Sequence, residues 1–144
     1  MNPQNEISID EVKSESSVEN ELKKNLKLLN GETIELKSEI FNFSRQLAKR
    51  NQGVVLLSNQ RLIFLLHHPM GSEQLIYVPF ARITKASFSS AEGLRSGRKA
   101  IEITYDHQSI NFGIVGFLGR TSNKKTSNLF DELKKRLPDQ IINR

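Results

Sequence analysis

The chain has 144 residues, a formal net charge of +5 and no cysteine, which predicts one domain with a tail and excludes disulfides and cysteine-ligated metal. Its longest strongly apolar run, residues 62–66, is far shorter than the roughly 18 residues of a membrane span, so any membrane contact is expected to be peripheral. The N-terminus is polar and acidic, which argues against a secretory signal peptide.

The charge is distributed unevenly along the chain. Residues 1–22 carry six acidic side chains and one lysine, a balance of −5, whereas the remainder carries 20 basic and 10 acidic residues, a balance of +10. A basic body of this kind is attracted to phosphates, on lipid or on nucleic acid. The alternative is that the charge serves solubility and that the acidic tail masks the basic surface.

The N-terminal part divides into a tail and a helix. Residues 1–15 contain few large apolar side chains and are predicted to be a disordered acidic tail. Residues 16–30 are predicted to form an amphipathic helix, since Ser16 and Glu19 fit a capping box and Gly31 suits the end of a helix. The apolar side chains share one helical face, which is expected to pack on the domain or on a partner: Val18, Leu22, Leu26 and Leu29.

From residue 33 the apolar period changes to two, which predicts seven short strands. In the first strand, Ile34, Leu36 and Ile40 share one phase while Phe41 and Phe43 fall in the other. This change of phase predicts a bulge or bend near Ile40.

The clearest element is a hairpin. Two runs of strand-forming residues, 54–57 and 62–66, flank one polar tetrapeptide in which Ser58 and Asn59 supply turn chemistry. Arg61 ends this tetrapeptide, and a structural role there is favoured over a ligand-binding one. The remaining strands are predicted at residues 75–80, 83–88, 100–105 and 110–114.

The last segment is predicted to be a helix that ends at Pro138, followed by a tail at residues 139–144. Asp131 and Glu132 are placed early in this helix and residues 134–136 late, an order that complements the helix dipole. One broad apolar stripe is expected to plug the open end of a strand sandwich: Leu129, Phe130, Leu133 and Leu137.

This order of elements, together with three motifs, resembles the pleckstrin-homology (PH) superfamily, and within it the GRAM and GLUE branches and the bacterial PH-like domains. The motifs are Gly31-Glu32, Gly53 through Phe64, and Val78-Pro79-Phe80-Ala81-Arg82-Ile83. The resemblance implies one domain over residues 31–138. Its fold would be mainly β, a seven-stranded antiparallel sandwich or partly open barrel capped by a C-terminal helix. The strand pattern alone also leaves open a lipocalin-like barrel or an unrelated seven-stranded sandwich.

No pattern of catalytic or metal-binding residues is visible. His67, His68 and His107 lack a recognisable metal-ligand spacing, and the glycines after strand seven lack the ending of a phosphate-binding P-loop. We therefore expect no enzyme activity, no cofactor and no metal site.

The candidate phosphate-binding residues form three basic clusters, after strands one, five and seven: Arg45, Lys49 and Arg50; Arg95, Arg98 and Lys99; Arg120, Lys124 and Lys125. The resemblance implies that the first loop would hold phosphates in a phosphoinositide-binding PH domain. The usual basic residues of such a site are missing here, since Lys37 lies early in its strand and residues 54–57 are all apolar. Three separate solvated loops are the alternative to one shared site.

Phe117 and Leu118 lie between two glycines after strand seven. The favoured interpretation places this pair in the core under the C-terminal helix. The alternative is that the pair enters a membrane interface beside the third basic cluster.

The function expected from the resemblance and the charge is a non-catalytic module that attaches peripherally to anionic lipid, with phosphoinositide as one candidate. The main alternative is a protein-interaction adaptor or self-assembling scaffold, since bacterial PH-like domains as a family often form rings. Nucleic-acid binding is disfavoured because aromatic residues make up 7% of the chain and tryptophan is absent. The expected location is the cytoplasm, at a membrane surface if lipid is the ligand.

Overall fold

The structure is a computed structural model that describes residues 26–43, 51–67, 73–90, 99–117 and 120–143. The predicted acidic tail and the first ten residues of the predicted N-terminal helix lie outside the described residues.

The described residues form eight strands and one α-helix. The strands are β1 (Ile34–Asn42), β2 (Asn51–Ser58), β3 (Arg61–His67), β4 (Glu73–Pro79), β5 (Ile83–Ser90), β6 (Lys99–Tyr105), β7 (Gln108–Ile114) and β8 (Ile142–Asn143). The helix, α1, spans Asn123–Lys134, and one-turn 3-10 helices lie at Phe80–Arg82 and Asp139–Ile141.

All the strands belong to one sheet with the order β4-β3-β2-β1-β7-β6-β5-β8. Every pairing is antiparallel except that of β5 with β8. The sheet is not closed into a barrel, which confirms the mainly β, helix-capped PH-like sandwich over the lipocalin-like alternative. Residues 139–143 of the predicted C-terminal tail are instead part of the fold, because they form a 3-10 turn and β8, in which Ile142 pairs with Ala86 of β5.

The predicted hairpin is confirmed as β2 and β3, and both of its faces are buried. Val55, Leu57 and Phe64 point into the main core, while Val54 and Ile63 belong to a second apolar cluster on the opposite, outer face of the sheet. This two-sided burial explains why both arms are continuous apolar runs rather than alternating ones.

The predicted plug is confirmed as α1. Leu129, Phe130 and Leu133 are buried in the main core, where the Phe130 ring stacks on Phe88 with centroids 5.6 Å apart. The prediction that Asp131 and Glu132 lie early in the helix was wrong. The helix α1 begins at Asn123, and its first turn contains no acidic side chain. The apolar stripe identified only the buried end of the helix, and the polar first two turns carried no such signal.

The bulge in β1 was also placed wrongly. The register with β2 shifts between Ile34 and Leu36, not near Ile40. This shift reverses the phase, so that Ile34 packs on the outer cluster and Ile40 in the main core. Glu35, at the irregularity, accepts a hydrogen bond of 2.5 Å from Arg136, and this contact raises the pKa of the Arg136 guanidinium.

Residues 26–33, which we call the strap, correct the predicted N-terminal helix in its described part. Residues 26–29 are not helical, and Leu26 and Leu28 are buried in the outer cluster. Leu29, which the helical spacing placed with Leu26, is 46% exposed. The strap therefore uses a spacing of two, because it lies along a sheet face rather than coiling above it.

Candidate functional site

The predicted site residues divide by where they fall. Lys99, Arg120, Lys124, Lys125 and Phe117 belong to the described part of the chain. The others lie outside the described residues: Arg45, Lys49, Arg50, Arg95, Arg98 and Leu118.

The connection from β7 to α1 is fixed tightly at its base. The Gly116 amide donates to the Arg120 carbonyl at 2.5 Å, and the Ser122 amide donates to the Ile114 carbonyl at 2.8 Å. Gly116 permits this approach, because a Cβ there would lie 2.7 Å from the Ser122 Cβ. The two described ends of this connection, residues 115–117 and 120–122, are therefore held close together.

Phe117 lies in this connection with 84% of its surface exposed. The favoured interpretation, that it packs in the core under the C-terminal helix, is therefore wrong for Phe117. The plug position is filled by Leu129, Phe130 and Leu133 of α1 instead. The Phe117 ring therefore contributes little apolar burial to the core.

Exposed cations lie at the C-terminal end of this connection and in the first turn of α1. Arg120 precedes α1, and Lys124 and Lys125 occupy its first turn, all three with exposed side chains. Cations in the first turn are disfavoured by the helix dipole, whose N-terminus is itself positive. The positive end of the helix dipole and the exposed side chains of Lys124 and Lys125 therefore lie together at the start of α1.

The described ends of the three basic connections come together at this end. The Lys99 amide donates to the Asn123 side chain at 2.9 Å, which places the end of the β5–β6 connection beside the start of α1. A Cβ on Gly113 would lie 3.0 Å from Thr121 and 3.3 Å from Phe43, so these side chains meet over Gly113. Phe43 begins the β1–β2 connection and Thr121 ends the β7–α1 connection.

In this chain, β2 lacks the basic residues that usually hold phosphate in PH domains. Residues 54–57 of β2 are fully buried between the two apolar clusters and present no side chain to solvent. A phosphate bound near this sheet would have to be held by the connections instead.

Arg61 has the structural role that the sequence predicted. Its Nε atom lies 2.9 Å from a Glu32 carboxylate oxygen, and its Nη2 donates to the Lys27 carbonyl at 2.7 Å. The guanidinium also stacks over the Tyr77 ring, 4.2 Å from its centroid. Arg61 thus fixes the strap to the hairpin, and Glu32, which sequence reasoning singled out only within a motif, is its partner.

Comparison with a family model assigns the sequence to a known family. The sequence matches the family model of the bacterial PH domain over residues 34–118, which is more than half of the chain. The chain belongs to the bacterial PH domain family. A search of the curated proteins finds no match.

Two solved structures share this bacterial PH domain's fold. The hSac2 domain of the human phosphoinositide phosphatase Sac2 has a TM-score of 0.59 and 15% identity, over 83% of this chain and 81% of that one. The C-terminal domain of an unknown protein from Leishmania infantum has a TM-score of 0.52 and 13% identity, over 74% of this chain and 85% of that one. At these identities the likeness shows the fold alone.

A PH-like fold generally serves as a non-enzymatic binding module. Within the described ranges, no helix is long and apolar enough to cross a bilayer.

Proposed function

We propose that this bacterial PH domain binds anionic membrane surfaces through the turn between β7 and α1. The observation that carries the proposal is the exposed Phe117 ring beside the exposed cations Arg120, Lys124 and Lys125. An apolar ring inserts at the boundary between headgroups and acyl chains, while lysine and arginine neutralise lipid phosphates at headgroup depth.

The buried β2 favours recognition of surface charge over recognition of one headgroup. Stereospecific binding of an inositol phosphate needs several cations directed into one pocket, and residues 54–57 of β2 direct none. Phosphatidylserine and phosphoinositide vesicles of equal total charge are therefore expected to bind equally well.

The contribution of each part can be estimated. A basic residue near an anionic membrane contributes about 1 kcal/mol, so Lys124→Ala with Lys125→Ala should weaken binding by about 2 kcal/mol, or roughly 30-fold. Partial burial of an aromatic ring contributes about 1.5 kcal/mol, so Phe117→Ser should weaken binding about tenfold.

Co-sedimentation with neutral and anionic vesicles tests the proposal. Binding should require anionic lipid and should fall when salt rises from about 0.1 M to 1 M, which shortens the screening length from about 10 Å to about 3 Å. Matched controls are Lys27→Ala with Lys85→Ala, two exposed lysines on other elements, and Leu29→Ser, another exposed apolar residue. Equal binding to both vesicle types, or equal losses in the controls, would reject the proposal.

A further inference from the structure

We propose that the edge of β4 that faces away from β3, which we call the open edge, pairs with the same edge of a second copy of the chain. The two antiparallel β4 strands would join two sheets in a symmetric dimer. This inference is independent of membrane binding. It starts from a difference between the two ends of the sheet. The edge of β5 is covered in part by β8, where Ile142 pairs with Ala86, whereas no described strand pairs with the open edge of β4.

The strand register shows which backbone groups of β4 face the open edge. The Phe80 amide donates to the Gln60 carbonyl at 3.3 Å, so these two residues form a hydrogen-bonded pair that continues the β3–β4 ladder. Hydrogen-bonded and non-hydrogen-bonded pairs alternate along an antiparallel ladder. The even-numbered residues of β4 therefore bond to β3. Leu75 and Tyr77 direct both their N–H and their C=O groups into the open edge.

The open edge lacks most of the features that prevent edge strands from pairing. Such edges are usually blocked by a bulge, a lysine or a proline. The register of β4 with β3 has no shift, and residues 73–79 contain no lysine or arginine. Pro79 faces the open edge but lies at the end of β4, so it limits the length of the edge and leaves its centre available. Among the described elements, β3 is the main neighbour of β4, and the central residues 75–77 are only half-buried.

A second copy fits this edge because the edge is its own complement. A two-fold axis at Ile76 places Leu75 opposite Tyr77 of the second copy, and each of the two exchanges its N–H and C=O with the other. By symmetry this gives four hydrogen bonds. The Glu73 amide can also donate to the Pro79 carbonyl of the second copy, which adds one bond on each side. The missing N–H of Pro79 removes only the return bond.

The side chains also match in this register. Leu75 would lie beside Tyr77 of the second copy on the outer face, and the two Ile76 side chains would meet on the inner face. These residues already pack against the outer cluster and the main core respectively, so the pairing extends both apolar clusters across the junction. Arg61 covers one face of the Tyr77 ring, so the backbone, Leu75 and Ile76 carry most of the contact.

The size of the contact sets the expected affinity. One strand from each copy buries less than the roughly 1,600 Å² of a standard interface, so we expect a reversible dimer with a Kd between about 10 µM and 1 mM. Sedimentation velocity of the full-length protein over that range of concentration, without vesicles, measures it.

A matched pair of variants tests the backbone contact. Leu75→Pro and Leu75→Ala both remove the leucine side chain, but only proline removes the N–H that faces the open edge. Because that N–H does not bond to β3, proline at this position leaves the β3–β4 ladder intact. We expect Leu75→Pro to weaken the dimer about tenfold or more relative to Leu75→Ala, since two hydrogen bonds are lost from each dimer.

Hydrogen exchange of the wild-type protein provides a second measurement that needs no variant. The Leu75 and Tyr77 amides should exchange more slowly at 1 mM than at 10 µM protein, whereas the Ile76 amide between them should be protected at both concentrations because it bonds to β3. A monomer over the whole range would overturn the proposal, as would a dimer that Leu75→Pro weakens no more than Leu75→Ala. Protection of Leu75 and Tyr77 that does not change with concentration would also overturn it, because the open edge would then be covered within one molecule.

Discussion

Replacing Arg61 by leucine should destabilise the fold by about 3–5 kcal/mol, because it leaves a buried carboxylate without its ion partner. The Glu32 side chain is 0% exposed and that of Arg61 is 7% exposed. Glu32 accepts hydrogen bonds from Arg61 Nε at 2.9 Å, Ser58 Oγ at 2.5 Å and the Leu29 amide at 2.8 Å. In the variant only the two neutral donors remain to stabilise a full negative charge.

A double variant separates this charge effect from the loss of packing. Arg61→Leu combined with Glu32→Gln removes both charges and keeps an amide oxygen that can accept from Ser58. The double variant should be more stable than Arg61→Leu alone by at least about 1 kcal/mol, because it leaves no unpaired buried charge.

Urea unfolding, monitored by circular dichroism, measures these differences in the free energy of unfolding. The slope of that free energy against urea concentration should be the same in all variants. Arg82→Leu is the matched control, because Arg82 pairs with Asp106 in an exposed ion pair and should cost at most about 1 kcal/mol. If Arg61→Leu costs no more than Arg82→Leu, or if the double variant is no more stable than Arg61→Leu alone, the account of the strap is refuted.

Three further predictions concern the packing of the domain. Gly53→Ala should destabilise by about 1–3 kcal/mol in urea unfolding, because its Cβ would lie 2.4 Å from the Leu65 carbonyl oxygen, and unchanged stability would contradict the β2–β3 contact. Phe130→Ala should cost about 3–5 kcal/mol in the same assay as the plug loses its largest side chain, whereas a cost below about 1 kcal/mol would mean that α1 does not close the core. Burial, and then the charge of Asp106, raise the pKa of Tyr105, so the folded state holds its proton longer than the unfolded state. Stability should therefore fall as pH rises above the ordinary tyrosine value of about 10, and Tyr105→Phe should reduce this fall when unfolding midpoints are compared at neutral and alkaline pH. An identical loss of stability at alkaline pH in the wild-type protein and in Tyr105→Phe would contradict this contribution of Tyr105.

The parts of the fold that the sequence predicted well are those where local pattern and tertiary burial agree. Residues 54–57 and 62–66 are strand formers flanking a turn, and the structure buries them on both sides of one hairpin. The apolar stripe of α1 was predicted equally well. Leu129 and Leu133 face the main core, and this does not depend on where the helix begins.

The errors in the predicted elements arose where the same residues fitted both the period of a helix and the period of a strand. Leu26 is followed by apolar residues at both i+2 and i+3, and the helical choice was wrong because the outer face of β2 and β3 provides an apolar surface for an extended chain. Neither the sequence of β1 nor that of the strap shows which neighbouring surface is available. That information comes from residues about 30 positions away along the chain.

The candidate site was predictable in its residues but not in its arrangement. Lysines and arginines in loops are visible in any sequence, whereas the meeting of Phe43 and Thr121 over Gly113 follows from strand pairing across the sheet. The exposure of Phe117 was misjudged for a related reason, since an apolar residue between glycines fits either a core or a projecting turn.

The measurement that tests the membrane proposal most directly is the tryptophan fluorescence of a Phe117→Trp variant. The wild-type chain contains no tryptophan, so the single indole reports on this position alone. On addition of anionic vesicles its emission should shift to the blue and be quenched by brominated acyl chains, while a Leu29→Trp control should show neither effect. An indole at position 117 that stays in a water-like environment while the protein binds those vesicles would contradict the account.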